Sequence, residues 1–91
     1  MYRGNEILQD KYFMILRTNE RFIEVLSKNT GHCWLVQKTM ADEYKYRLYH
    51  KHKRHDEYYH LHWKNNSFRK IVQSIKSHDE YVLKIPTNKN E

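Results

Sequence analysis

YKYRLYHKHKRHDEYYHLHWK, residues 44–64, is the stretch that decides how this chain folds. Aromatic, aliphatic and basic residues alternate on both sides of a polar centre at 54–57 (RHDE). Such alternation is typical of a β-hairpin with one packed face and one wet face. The stretch also holds five of the eight tyrosines and five of the seven histidines. We therefore predict a hairpin whose tip lies at residues 54–57.

Burial of apolar side chains selects the register of this hairpin. One register would pair His50 with His62 and His52 with His60, but it leaves neither face of the hairpin cleanly apolar. A register shifted by one residue gathers the large apolar side chains on one face, and burial of each stabilises the fold by about 1.5–3 kcal/mol. That predicted packed face carries Tyr46, Leu48, Tyr59, Leu61 and Trp63. We predict this second register.

The chosen register separates the two histidine pairs. His50 and His52 would extend the packed face toward the tip, whereas His60 and His62 would join the wet face. No Cys, Asp or Glu stands near either pair at ligand spacing. We therefore predict no metal site and no cofactor.

The wet face combines cations with planar rings, the side chains that bind phosphates and stack on bases. Its predicted contact residues for nucleic acid are Arg47, Tyr49, Lys51, Lys53, Tyr58, His60, His62 and Lys64. The plainer interpretation is that Tyr and Lys simply suit an exposed strand, where Lys also guards against edge-to-edge aggregation. The sequence leaves both interpretations open.

Shorter strands and one helix complete the predicted fold. Strands are predicted at residues 11–17, 21–28 and 32–38, with turns at 18–20 and 29–31, where Gly31 can adopt a positive φ. A helix should begin at Asn66 or Ser67, because Phe68 and Ile75 bound an apolar stripe at helical spacing. It should stop at 77–79, before a closing strand at 80–85. The predicted class is α+β: an antiparallel meander of about five strands, one C-terminal amphipathic helix and a short closing strand. Residues 1–85 would form one small domain, and 86–91 a flexible polar tail.

The predicted turns give both faces of the first three strands an apolar character. If both turns contain three residues, one face carries Phe13, Ile15, Ile23, Val25 and Leu35. The other face then carries Tyr12, Met14, Leu16, Phe22, Leu26, Trp34 and Val36. One helix covers only one face, so the N-terminal segment, a barrel-like closure or a second subunit would cover the other. A homodimer through these hairpins is one of these solutions.

Bulk composition narrows the class of partner. The net charge of +6 over 91 residues favours anionic partners: nucleic acid or an acidic protein surface. Cys33 is the only cysteine, so it forms no intrachain disulfide, and we expect a small core residue in a reducing, cytoplasmic compartment. We expect no membrane span, because no apolar run approaches the necessary length. Size and composition suit an accessory protein of a phage or mobile element.

The favoured function is non-enzymatic binding of nucleic acid or a nucleoprotein complex. The first alternative is a protein-interaction module, such as a phage-encoded inhibitor of a host enzyme. The second is an RNA-cleaving toxin, in which Arg54, His55, Tyr58 and His60 would supply acid, base and charge stabilisation. Any histidine-rich hairpin would satisfy that last pattern, and 54–57 is better explained as a turn. We therefore predict no catalytic residues.

Overall fold

The chain forms one antiparallel sheet of five strands followed by one helix. The structure, a computed structural model, describes Ile7 and residues 10–40 and 43–84. The strands are β1 (Phe13–Thr18), β2 (Phe22–Ser27), β3 (Cys33–Lys38), β4 (Tyr46–Lys51) and β5 (His60–Asn65), and the helix is α1 (Phe68–Lys84). Each strand pairs with the next along the chain, so the sheet order is the sequence order. The predicted α+β class, with its five-stranded meander and C-terminal helix, is confirmed.

The helix begins as predicted but runs further. Ser67 caps it, because its Oγ accepts a hydrogen bond from the backbone N–H of Lys70 (3.3 Å). The chain does not stop at 77–79, and helix continues to Lys84. The predicted closing strand is therefore wrong for residues 80–84, while Ile85 lies outside the described residues. The reason is the side chain of Asp79, which lies on the same helical face as Ile71 and Ile75 and is fully buried.

Helix α1 packs against one face of the sheet, at β4 and β5, and we call this the inner face. Its core is a single cluster of apolar side chains from the strands and the helix. The fully buried strand members are Ile23, Val25, Trp34, Val36 and Leu48, and Ile7, Ile71 and Ile75 pack with them. Alternation in β4 shows the division clearly: Tyr46, Leu48 and His50 are buried, and the residues between them are only partly so.

The turn between β2 and β3 contains four residues, not the three that we predicted. Ser27 N–H donates to the His32 carbonyl (2.9 Å), which leaves residues 28–31 as the loop. Gly31 has the predicted positive φ, 77°. The extra residue places Trp34 opposite Val25 on the inner face, so its predicted place on the other face is wrong.

Val36 moves with Trp34 to the inner face, opposite Ile23, and Leu35 moves to the other face, opposite Glu24. In the first hairpin, Ile15 lies opposite Val25, so the two share a face as predicted, although a bulge at Leu16 shifts the register beyond it. The fully buried large apolar side chains of these strands therefore lie on the inner face. Trp34 and Val36 are therefore absent from the other face, which is less apolar than predicted. The homodimer stays a prediction.

The β4–β5 hairpin keeps the predicted register only at its base. Leu48 lies opposite Trp63, but Tyr49 lies opposite Leu61, so His62 is an extra residue in β5. This bulge turns Leu61 away from Leu48 and leaves it 52% exposed. The prediction that Leu61 and Tyr59 pack beside Leu48 is wrong.

Candidate functional site

The face of the sheet opposite α1, here called the outer face, carries the basic strand residues. Arg47, Tyr49 and Lys51 alternate along β4 on this side, and Lys64 of β5 lies directly opposite Arg47. Cross-strand partners point to the same side of a sheet, so four predicted contact residues do share one face. The phenol of Tyr49 donates to Gln37 Oε1 (3.3 Å), which holds its ring against β3.

A buried carboxylate lies at the centre of the outer face. Glu24 is only 7% exposed and accepts hydrogen bonds from Arg17 Nε (2.6 Å) and from the Tyr59 phenol (2.5 Å). Burial alone would raise the pKa of Glu24, but the bonds from Tyr59 and Arg17 outweigh it and hold the pKa below its usual value. Burial and the same carboxylate raise the pKa of Tyr59. The outer face therefore carries the negative charge of Glu24, which the contacts from Arg17 and Tyr59 stabilise.

Tyr59→Phe is expected to lower the free energy of unfolding by about 1.5–3 kcal/mol at pH 7, because a hydrogen bond to a charged group is lost. The depressed pKa of Glu24 stabilises the fold above its unfolded pKa, and that contribution disappears as pH falls through the folded pKa. The difference in free energy of unfolding between the variant and the unmodified chain should thus become smaller below pH ~4. Urea unfolding between pH 3 and 7 measures it.

Tyr58→Phe is the matched control for this experiment, because Tyr58 is the neighbouring residue and is 72% exposed. It should change stability by less than about 0.5 kcal/mol at either pH. Two results would contradict the assigned role of Glu24. One is an equal loss of stability in both variants, and the other is a loss of stability in Tyr59→Phe that does not vary with pH.

The other predicted contact residues do not join the strand part of the outer face. Lys53 and Tyr58 lie in the exposed loop between β4 and β5, with Arg54 and His55. His60 lies opposite His50, on the inner side, and the His62 ring contacts Trp34 (5.5 Å between centroids). The predicted placement of His60 and His62 on the wet face is wrong, because the bulge at His62 reverses it.

Five histidine rings instead meet at one end of the inner face, beside Trp34. This histidine cluster consists of His32, His50, His52, His62 and His78. His50 stacks on Trp34 with 4.0 Å between ring centroids. His32 Nδ1 and His50 Nε2 lie 2.9 Å apart. The prediction that the histidine pairs separate is therefore wrong, since His50 and His62 lie together.

Burial controls the charge of the histidine cluster. Burial, followed by the neighbouring histidines, lowers the pKa of His50 to about 3. Burial also lowers the pKa of His32 and of His62. These three rings are accordingly neutral at pH 7, and each neutral ring has one N–H donor and one acceptor nitrogen.

Sequence reasoning missed two members of the cluster, His32 and His78. His32 lies two residues before Trp34, so both point to the same side of the sheet. His78 follows Ile71 by seven residues, which is the spacing of the buried helical face. The sequence contains both spacings. Only the four-residue turn and the longer helix show that these spacings place His32 and His78 in the histidine cluster.

A cleft of about 520 Å³ opens beside the histidine cluster. Its lining includes His50, His52, His60 and His62, together with Asp56 and Tyr58 from the loop. The cleft therefore connects the exposed rim of the cluster with solvent.

Comparisons with known proteins identified no relative of this chain. No protein-family model, no curated protein and no solved structure matches it. Among the described residues, no helix is both long enough and apolar enough to cross a membrane.

Proposed function

We propose that this chain is a non-enzymatic binding protein that contacts nucleic acid through its outer face. The observation that carries this proposal is the grouping of Arg47, Lys51 and Lys64 on two adjacent strands, on the side that α1 does not cover. Side chains two residues apart on a strand lie about 6.5–7 Å apart, so such a row can follow a phosphate backbone.

Aromatic rings complete the proposed surface. Tyr49 lies between Arg47 and Lys51 on β4, and Tyr58 is 72% exposed in the adjoining loop. A base stacked on an aromatic side chain contributes about 1–3 kcal/mol, whichever base it is. Cations beside rings on a sheet suit a single strand, so we expect single-stranded nucleic acid to bind more tightly than a duplex.

Two features of the loop favour this surface further. Lys51 Nζ donates to the Asp56 carbonyl (3.1 Å) and lies 4.7 Å from the centroid of the Tyr59 ring. These contacts hold the ammonium group at the boundary between strand and loop. The Asp56 carboxylate accepts from the Lys53 backbone N–H (3.2 Å), so it acts as a turn residue.

The double variant Lys51→Glu/Lys53→Glu is expected to weaken binding of single-stranded RNA and DNA and to flatten its salt dependence. Each lost phosphate contact removes about 0.7 from the slope of log affinity against log salt for a single strand. Fluorescence anisotropy with labelled oligonucleotides at several salt concentrations measures both quantities. The same titrations include double-stranded DNA and RNA.

The control variant is Arg69→Glu/Lys70→Glu, which makes the same change in net charge on exposed positions of the first turn of α1. This control should retain the salt dependence of binding that the unmodified chain shows. Equal losses in the two double variants would show that only overall charge attracts the oligonucleotide, and would contradict the proposed surface. No binding to any of the four probes at low salt would contradict the proposal as a whole.

A further inference from the structure

The histidine cluster has no part in the outer face, and its geometry requires a separate explanation. It draws on the turn before β3 (His32), on β4 and β5 (His50, His62), on the loop (His52) and on α1 (His78). A stabilising core at this position would ordinarily be apolar. Here imidazole rings surround Trp34, with His50 and His78 centroids 4.0 and 5.2 Å from its ring.

Three of these rings place nitrogen atoms close to one another. One nitrogen each from His32, His50 and His78 lies within 4.8 Å of the others. Ligand atoms in a tetrahedral site, about 2.0–2.1 Å from the metal, lie roughly 3.4 Å from one another. Small ring rotations therefore suffice to give all three nitrogens a bond to one ion.

The Nδ1 atom of His78 supplies an independent observation. It is buried and has no hydrogen-bond partner among the described residues. A buried polar atom is ordinarily bonded, and leaving one unbonded is destabilising. A metal ion bound to Nδ1 would satisfy an imidazole nitrogen that no side chain or backbone group of the described chain satisfies.

Hydrogen bonds connect the two backbone segments that carry His32 and His78. The backbone N–H of His32 donates to Thr30 Oγ1 (3.2 Å), and that hydroxyl donates to the buried carboxylate of Asp79 (3.1 Å). Asp79 is the residue after His78 in α1, so the network ties the His32 turn to the helix at the cluster. Preformed geometry of this kind lowers the cost of assembling a metal site.

We propose that His32, His50 and His78 bind one divalent transition-metal ion, of which Zn²⁺ is the representative. Imidazole nitrogens suit Zn²⁺, Ni²⁺ and Cu²⁺, whereas Mg²⁺ and Ca²⁺ require oxygen ligands. The exposed rings of His52 and His62 lie beside these three, 4.9 Å from His32 and 5.4 Å from His78 between centroids. Either ring, or water from the adjoining cleft, would complete the tetrahedron.

Such an ion would connect the turn before β3, strand β4 and helix α1. Because an ion that binds only the folded chain stabilises it, Zn²⁺ at a hundredfold excess over its Kd should raise the Tm of the chelator-treated chain by about 10–20 °C. Mg²⁺ at the same concentration should leave the Tm unchanged. Calorimetric titration with ZnCl₂ should give one ion per chain, and Co²⁺ should give the intense visible absorption of a four-coordinate site.

The His78→Gln and His32→Gln variants test the ligands, with His55→Gln as the control on an exposed loop residue outside the cluster. Losing an outer-shell partner costs about 10–100-fold in affinity, so losing a ligand should cost more than about 100-fold. His55→Gln should bind Zn²⁺ as the unmodified chain does. Circular dichroism of the metal-free variants establishes folding; if one variant does not fold, the other still measures the affinity.

Three results would overturn the site: a Tm that Zn²⁺ does not change, stabilisation by Mg²⁺ equal to that by Zn²⁺, or an affinity that His55→Gln lowers as much as the cluster variants do. The last result would indicate adventitious binding to surface histidines. None of these measurements involves nucleic acid, so the outcome is independent of the proposed function.

Discussion

Leu48→Ala is expected to lower the free energy of unfolding by about 2–5 kcal/mol, because it opens a cavity in the centre of the core. Leu48 is fully buried on the inner face, opposite Val36 of β3 and Trp63 of β5. A domain of this size is stable by only about 5–15 kcal/mol, so the loss is a large share of the total. Urea unfolding followed by tryptophan fluorescence measures it.

Leu61→Ala removes the same side-chain atoms from a residue of the same hairpin and is the matched control. Leu61 is 52% exposed, so the change should be within about 0.5 kcal/mol. The pair tests the bulge at His62 directly, since an unbroken register would bury both leucines together. Comparable losses in the two variants would contradict the bulge and with it the position of His62 in the histidine cluster.

Asp79→Ala is expected to lower the free energy of unfolding by about 2–4 kcal/mol, because two hydroxyl groups lose a charged hydrogen-bond acceptor in a buried place. The Tyr12 phenol donates to one carboxylate oxygen of Asp79 (2.6 Å), and Thr30 Oγ1 donates to the other (3.1 Å). The side chain itself is fully buried. At about 4–8 °C for each kcal/mol, the Tm should fall by at least about 10 °C.

Glu80→Ala is the control for that experiment, because Glu80 is the next residue and is exposed. Both variants remove one negative charge and place alanine in α1, so the net charge changes alike. Glu80→Ala should leave Tm nearly unchanged. A small effect of Asp79→Ala would instead mean that α1 ends near residue 77, as the sequence suggested, and that Asp79 is not buried.

The Tyr12 phenol should titrate abnormally for the same reason. Burial, the Asp79 carboxylate and Glu80 raise the pKa of Tyr12 to about 12 although Asn29 opposes the shift. The folded chain therefore keeps this proton at pH values where an unfolded tyrosine releases it. Its contribution to stability is present below pH 10 and is lost as pH rises toward 12.

Much of the fold could be predicted because local patterns and global packing agree. Alternation in 46–51 gave a strand with Leu48 inside, and the stripe through Phe68, Ile71 and Ile75 gave a helix that buries those residues. Gly31 marked a turn with positive φ. Each signal depends on residues close together in sequence, which is why composition and spacing were sufficient.

The wrong face assignments of Trp34, Val36, Leu35, His60 and His62 all come from single-residue shifts. One extra residue in the turn at 28–31 moved Trp34 to the inner face, and one extra residue at His62 moved that histidine across the hairpin. Because side chains alternate with a period of two, a shift by one residue reverses every face assignment beyond it. Sequence patterning does not reveal such insertions when both faces carry aromatic residues.

The sequence by itself determined the five-stranded meander, the amphipathic helix and a row of cations along β4. Only the tertiary structure decided which histidines meet, because His32, His50 and His78 come from a turn, a strand and a helix that are far apart in the chain. Their encounter depends on a bulge, a four-residue turn and a helix that continues past 77–79, each stabilised by distant partners. Local propensity carries no information about those partners, so the histidine cluster exists only in the folded chain.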